Sequence, residues 1–296
     1  MKERGLILSQ LGSLLKELKI FNSPKSERVR IGPDNDGGYV LLNDGLESIE
    51  VMYSYGVGDN SEFEVMFCEK YNAIARLYDH TVDSPPLEKS FFYFKKEGVG
   101  QKKTKDLNTI ENHLNENGDT GKRLLLKMDV EGGEWDALIH TPSSVIGLFD
   151  QIVIEVHGLG TDLSESWLDK KIKVIRKVNE LFYLYHVHAN NYTGVYHINW
   201  YKVPDTLELT FINKKLFKNA EYSKVVFPTE FDRPNNKNKE DKKLYFFPFY
   251  PGVIQHVSDI VRRNGWKDWR DVIRILHNRL REDLRSIRTI IGLRRN

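Results

Sequence analysis

Arg123-Leu124-Leu125-Leu126-Lys127-Met128-Asp129-Val130-Glu131-Gly132-Gly133-Glu134-Trp135 decides the fold. The apolar run from Arg123 to Val130 reads as a buried strand, of the kind found inside a parallel sheet. It delivers three carboxylates, Asp129, Glu131 and Glu134, to its carboxyl end. The glycine pair makes a turn, and Trp135 to Ile139 starts a helix. Like charges gathered at one strand end cost stability unless they bind something. The competing reading is that Glu131 and Glu134 favour the positive N-terminus of the helix that follows.

The flanking sequence alternates strands with helices. Upstream, Ile49 to Tyr55 is a strand running into Gly56-Val57-Gly58-Asp59-Asn60, and Ser61 is placed to cap a helix reaching Tyr71. Ala73 to Tyr78 and Phe91 to Phe94 are strands. Asp106 to Leu114 is helical, with Asn117-Gly118 as its stop. Downstream, Gln151 to Val156, Phe182 to Val187 and Leu207 to Ile212 are strands, and Trp167 to Leu181 is a helix. Such alternation predicts an α/β fold: a Rossmann-like, mostly parallel sheet with helices on both faces. An N-terminal amphipathic helix (1–26) precedes this domain (27–236). A polar linker over Asn235 to Lys243 opens a basic helical extension (237–296).

Bulk properties narrow the function. A chain of 296 residues with 40% hydrophobic and 11% aromatic residues is globular rather than disordered. A formal net charge of +2 argues against a nucleic-acid binder. Cys68 is the single cysteine, so neither an intramolecular disulfide nor a cysteine zinc cluster can form. That suits a reducing cytoplasm. The N-terminal leucines Leu6, Leu11, Leu14, Leu15 and Leu18 recur at helical spacing, interrupted by Lys16 and Glu17, unlike a signal peptide. No uncharged apolar run has the length of a membrane span.

Gly56-Val57-Gly58 after a strand is a weak signal alone, since a tight strand-to-helix turn uses the same residues. Asp79 strengthens it. Lying about 20 residues further on, at the end of the next strand, it can accept both hydroxyls of a ribose. Nicotinamide cofactors share this spacing, but Ser61 stands where the third glycine of their fingerprint would be.

The segment Lys127-Met128-Asp129-Val130-Glu131-Gly132-Gly133-Glu134 resembles the K-x-D-x-E-G-x-E signature of the FkbM family of S-adenosylmethionine-dependent methyltransferases. Asp36-Gly37-Gly38-Tyr39-Val40, Ser54-Tyr55-Gly56-Val57-Gly58, Phe63-Glu64, Asp79-His80-Thr81, His188-Ala189-Asn190-Asn191 and Phe231-Asp232-Arg233-Pro234-Asn235 are similar to a bacterial branch of it, related to the methyltransferase-like proteins. The likeness spans residues 27–236. Many members carry an acidic residue before the first glycine, where this chain has Tyr55. The resemblance implies methyl transfer to oxygen, with S-adenosylmethionine as cofactor. Asp36, Gly37, Gly56, Gly58, Asp59, Asp79, His80 and Asp129 would bind it. Gly56 and Gly58 would pass its methionine part, Asp79 would hold the ribose, and Asp129 would face the methyl-transfer centre. By association, the acceptor is a small molecule or glycan, a sugar or surface polysaccharide.

The transfer needs an aligned nucleophile and a base for its proton. Glu155 and His157 share one face of a strand, as do His186 and His188. Asp129, Glu131, His157 and His188 are therefore the expected catalytic ring, and His186 a hydrogen-bonded core residue. Asp129, Glu155, His157 and His188 would also suit a divalent metal. From Ile254 to Leu293, arginines such as Arg270, Arg274, Arg281 and Arg285 accompany an apolar stripe of Ile273, Leu276, Leu280 and Leu284. This basic tail suits the inner membrane surface, self-association, or packing on the core. The rival functions are a non-catalytic nucleoside-binding scaffold and an NAD-dependent oxidoreductase.

Overall fold

The computed structural model describes residues 2–23 and 26–250. The basic tail read over 254–293 lies outside them. Seven strands form the central sheet: β1 (Val51–Tyr55), β2 (Ile74–Tyr78), β3 (Phe92–Lys95), β4 (Leu124–Met128), β5 (Phe149–Val156), β6 (Phe182–Ala189) and β7 (Leu207–Asn213). Their spatial order is β6-β7-β5-β4-β1-β2-β3. The pairs β1–β2, β2–β3, β1–β4 and β4–β5 are parallel, whereas β7 lies antiparallel between β5 and β6. This is the Rossmann-like sheet that the alternation predicts. The chain builds outward from β1 to β3, then returns to β4 on the other side. A switch point therefore falls between β1 and β4, and ligands bind beyond the carboxyl ends of strands at such a point.

Among the described residues, six α-helices accompany the sheet: α1 (Lys2–Glu17), α2 (Glu62–Tyr71), α3 (Ile110–Asn117), α4 (Glu134–His140), α5 (Ser143–Ile146) and α6 (Glu165–Leu181). Side chains alternate across a strand. Val51, Tyr53 and Tyr55 of β1, Leu124, Leu126 and Met128 of β4, and Ile152, Ile154 and Val156 of β5 pack in one core with α1 and α3 to α6. The opposite face carries Met52, Ala75, Leu77, Leu125 and Val153 against Phe63, Phe67 and Cys68 of α2. A hairpin, Arg28–Ile31 paired with Tyr39–Leu42, completes that second layer. Two side chains tie it down. The Gln151 amide exchanges hydrogen bonds with the Leu42 backbone, and Thr210 Oγ1 donates to Val40 O at 2.6 Å. The same alternation turns Ser54, Lys127, Glu155, Glu208, His186 and His188, all buried, toward the hairpin side. This polar layer beneath the hairpin builds the site.

Three boundaries differ from the sequence expectation. Helix α3 begins at Ile110, not Asp106, because Thr109 caps it by accepting the Asn112 N–H, while Leu107–Asn108 pairs with Gly98–Val99. Gly118 ends it in the left-handed conformation, as the Asn-Gly pair implies. Helix α1 is no appendage: Leu11, Leu14, Leu15 and Leu18 are buried in the main core, at roughly 1.5–3 kcal/mol for each such side chain. Residues beyond 236 also return to the domain. The segment 237–240 is exposed, but Leu244 and Phe249 join the main core and Asp241 pairs with His188. Among the described residues, no helix is long and apolar enough to cross a membrane.

Candidate functional site

Backbone hydrogen bonds clamp three strand ends together. Asp129 N donates to Tyr55 O at 2.9 Å, and Gly56 N donates to Tyr78 O at 3.0 Å. Gly56 then turns with φ +81°, and a Cβ there would stand 1.6 Å from the carbonyl oxygen of Asp129. Only glycine fits this crossing of β1 and β4. From below, the Lys127 ammonium donates to Gly56 O at 2.5 Å and lies 3.8 Å from Glu64 Oε1, which accepts Ser54 Oγ–H at 2.5 Å. The lysine of the strand thus pins the glycine turn.

Asp79 pins the same turn from the side. Its Oδ2 accepts the N–H groups of Val57 and Gly58 at 3.0 and 2.9 Å; its Oδ1 accepts the backbone and side-chain donors of Thr81. Burial pushes this carboxyl up, but those hydrogen bonds outweigh it and hold it below the usual carboxylate range. All four of its acceptor positions are used inside the protein. In this geometry Asp79 shapes the loop, and a ribose hydroxyl would reach it by displacing Thr81.

The loop borders a cavity of about 960 Å³, large for a single nucleoside ligand. Asp36, Gly37, Gly56, Gly58, Asp59, Asp79, His80, Asp129 and Glu131 all line it. Asp79 and Asp129 therefore share one edge of the sheet, as the reading of the motifs requires. Its apolar lining includes Pro86, Leu87, Val99 and Leu107. Its polar lining includes Asp36, Tyr39, Asp129 and Glu131. Ser61 Oγ, on the lining, is buried and has no hydrogen-bond partner among the described residues.

The polar lining is organised around the turn after β4. Glu131 adopts φ +51° and its side chain is largely exposed. Glu134 is fully buried, and its two oxygens accept the N–H groups of Gly132 and His157, both at 2.8 Å. It is thus a brace between the β4 turn and the end of β5 rather than a simple helix-terminus charge. Trp135 Nε1 donates to His157 O at 3.0 Å, a second brace. His157 Nε2 lies 3.1 Å from Glu155 Oε1 and 3.4 Å from Glu131 Oε2, with Nδ1 3.5 Å from Glu134. Burial pushes the His157 imidazole down, but Glu134 and Glu155 carry it up to about 11. Burial raises Glu155 in turn, helped by the charges of Asp129 and Glu208. Glu134 and Glu155 thus favour the protonated form of the His157 imidazole, one of the groups the sequence offers as a base. Asp129, which accepts from Tyr39 OH at 3.4 Å, lines the cavity together with Glu131.

His188 does not join this ring. Its Nδ1 pairs with Glu208 Oε2 at 2.8 Å and its Nε2 with Asp241 Oδ1 at 2.9 Å, and the ring is buried. The physical reason is β7, which is inserted between β5 and β6 and puts His188 two strands from Glu155. The expected metal set shrinks accordingly: ligand atoms of Asp129, Glu155 and His157 lie within 4.8 Å of one another, without His188. His186 is a hydrogen-bonded core residue, 2.8 Å from Asp232.

Sequence reasoning missed Lys127, Glu64, Ser54 and Tyr39 as parts of the site. A lysine inside an otherwise apolar strand was the available signal, because a buried ammonium needs acceptors. Nothing in the local pattern marks Ser54 or Glu64.

A family model described as the Methyltransferase FkbM domain matches residues 23–183, more than half of the chain. No curated protein matches it. The matched stretch contains the glycine turn, Asp79 and the whole acidic turn after β4.

Proposed function

The chain belongs to the FkbM methyltransferase family, and from that premise we propose that it moves the methyl group of S-adenosylmethionine to a hydroxyl of a sugar or surface polysaccharide. The observation that carries the reading is one cavity at the carboxyl ends of the strands whose lining combines the glycine turn, apolar side chains and the carboxylates Asp36, Asp129 and Glu131.

The residues fit this cofactor. Pro86, Leu87, Val99 and Leu107 offer apolar contacts for a base, and Ser61 Oγ offers an unsatisfied polar atom. The Gly56 crossing, where a Cβ would meet the Asp129 carbonyl, holds the ends of β1 and β4 together at the cavity wall. Gly37, Gly58, Asp59 and His80 complete the lining we assign to it. When bound, S-adenosylmethionine supplies a methyl group already activated on sulfur.

The protein's task is then orientation and proton removal. Carboxylates accept hydrogen bonds and donate none when ionised, so Asp36 and Asp129 suit an acceptor rich in hydroxyl groups. Asp129 would take the proton that the hydroxyl sheds as its oxygen bonds to the methyl carbon and the methyl–sulfur bond breaks. His157, held among Glu134, Glu155 and Glu131, offers a hydrogen-bond donor beside these carboxylates. Glu134 is a positioning residue: it fixes His157 and the turn carrying Glu131.

The test is methyl-label transfer from S-adenosylmethionine to free sugars, nucleotide sugars and polysaccharide, with amine and carboxylate acceptors beside them. The expected product is an alkali-stable methyl ether. Asp129→Asn should lower turnover about 10²-fold or more while sparing cofactor binding. Label found only in esters or methylamines, or full turnover in D129N, would overturn the assignment.

A further inference from the structure

Beneath the polar lining lies a cluster that methyl transfer to a hydroxyl does not by itself require. Glu155 on β5 and Glu208 on β7 are directly opposite partners in the antiparallel register. Like charges facing each other across a ladder repel, and both are more than nine-tenths buried. Asp36, from the hairpin turn, brings a third carboxylate. One oxygen from each of the three lies within 4.8 Å of the others. Opposite ligands of a hard divalent cation stand about 4–5 Å apart.

A second observation comes from a different side chain. Asn235 is 3% exposed. Its Nδ2 donates to Asp36 Oδ1 at 2.8 Å and to Glu208 Oε1 at 2.6 Å. Its Oδ1 is buried without a hydrogen-bond partner among the described residues. The amide is thus wedged between two carboxylates with its oxygen unused. The two amide ends differ only by a half-turn. That half-turn would bring the oxygen toward Asp36 and Glu208, an arrangement favoured only with a cation between them. The protein's own compensation is partial. His188 faces Glu208, His157 and Asn190 face Glu155, and Asp36 receives the Asn235 amide.

We propose that Asp36, Glu155, Glu208 and the Asn235 carbonyl form a binding site for one oxygen-loving divalent cation, Mg²⁺ or Mn²⁺, in the wall of the cavity. The all-oxygen donor set selects this class over thiolate- or imidazole-seeking metals. Asp36 lines the cavity, which gives a cation a way in from it. Glu155 also belongs to the neighbouring group of Asp129 and His157. A cation at this place would polarise an acceptor hydroxyl and ease loss of its proton to Asp129. That catalytic use rests on the methyltransferase reading above; cation binding does not.

The test is titration of Mn²⁺ into the metal-stripped full chain, followed by the loss of the free-ion paramagnetic resonance signal. S-adenosylhomocysteine binding is measured on the same samples. The expected result is one Mn²⁺ per chain, displaced by Mg²⁺. Affinity should fall at least tenfold in Asp36→Asn and in Glu208→Gln. Asp36 sits on a turn, so its variant keeps the test alive if Glu208→Gln misfolds. No uptake at about 1 mM Mn²⁺, the weak end of protein sites, overturns the proposal, as does binding unchanged in both variants. If S-adenosylhomocysteine binds while Mn²⁺ does not, the cation site fails alone. If Mn²⁺ binds at these residues while S-adenosylhomocysteine does not, the cofactor reading fails alone.

Discussion

Replacing Lys127 with Met keeps the length of the side chain and removes its charge. In the native protein the ammonium sits almost fully buried, bonded to Gly56 O and 3.8 Å from the buried carboxylate of Glu64. Removing one partner of a buried pair costs about 3–5 kcal/mol, because the other charge is left uncompensated. Ser54 still donates to Glu64, and 3.8 Å is a long contact, so the lower figure of about 3 kcal/mol applies. For a domain of this size each kcal/mol shifts Tm by about 2–4 °C, which gives a fall of about 6–12 °C. The double variant Lys127→Met, Glu64→Gln removes the stranded charge and should recover about half of the loss. Thermal unfolding of the wild type, both single variants and the double variant closes the cycle. Titration of S-adenosylhomocysteine on the same samples reads the glycine turn, which should bind the cofactor less tightly once Gly56 O is released. A Tm within about 2 °C of wild type for K127M, or no recovery in the double variant, would refute the assignment of Lys127 as the pin of the turn.

Asp79→Ala frees the N–H groups of Val57 and Gly58. Hydrogen bonds to a charged group are worth about 1.5–3 kcal/mol each, so cofactor affinity should drop at least tenfold by calorimetry. Burial pushes Asp232 up, but His186, His188 and the Thr229 backbone outweigh it and hold this carboxyl below its ordinary value. Its contribution is present above the unfolded value near pH 3.9 and disappears as pH falls toward the folded one. Tm measured between pH 7 and pH 3 should therefore fall less steeply in Asp232→Asn; an identical slope would deny the linkage. Burial pushes the Cys68 thiol up to about 12. An aromatic disulfide reagent at pH 8 should leave the native protein unreacted and label it once denatured.

The apolar strands and the glycine and acid turns of this fold are legible because burial and turn chemistry leave local marks. Leu124-Leu125-Leu126 announces an interior strand, and Gly118 announces a helix end. Strand direction leaves no such mark. The run Leu207 to Ile212 reads as a strand either way, and its antiparallel insertion is what separates His188 from Glu155. The short hairpin strands Arg28–Ile31 and Val195–Ile198 escaped for another reason: at four residues each, with polar side chains, they carry little periodicity. Much of the candidate site is legible for the same local reason, since Gly56, Asp79 and Asp129 each end a strand. The rest is not, because partners such as Asn235 with Asp36 are far apart in sequence and meet only through the sheet. The surroundings of His157 are not legible either, because Glu134 and Glu155 reach it at distances no spacing rule supplies.

The proposed methyl transfer requires that the cavity lined by Gly56 and Asp129 receive S-adenosylmethionine. Calorimetric titration of the full chain with S-adenosylhomocysteine and with NAD, repeated on Gly56→Ala, tests it directly. The account predicts stoichiometric binding of S-adenosylhomocysteine, none of NAD, and loss of binding in the variant, whose Cβ would collide with the Asp129 carbonyl. Binding of NAD alone, or undiminished binding by a folded G56A protein, would contradict it.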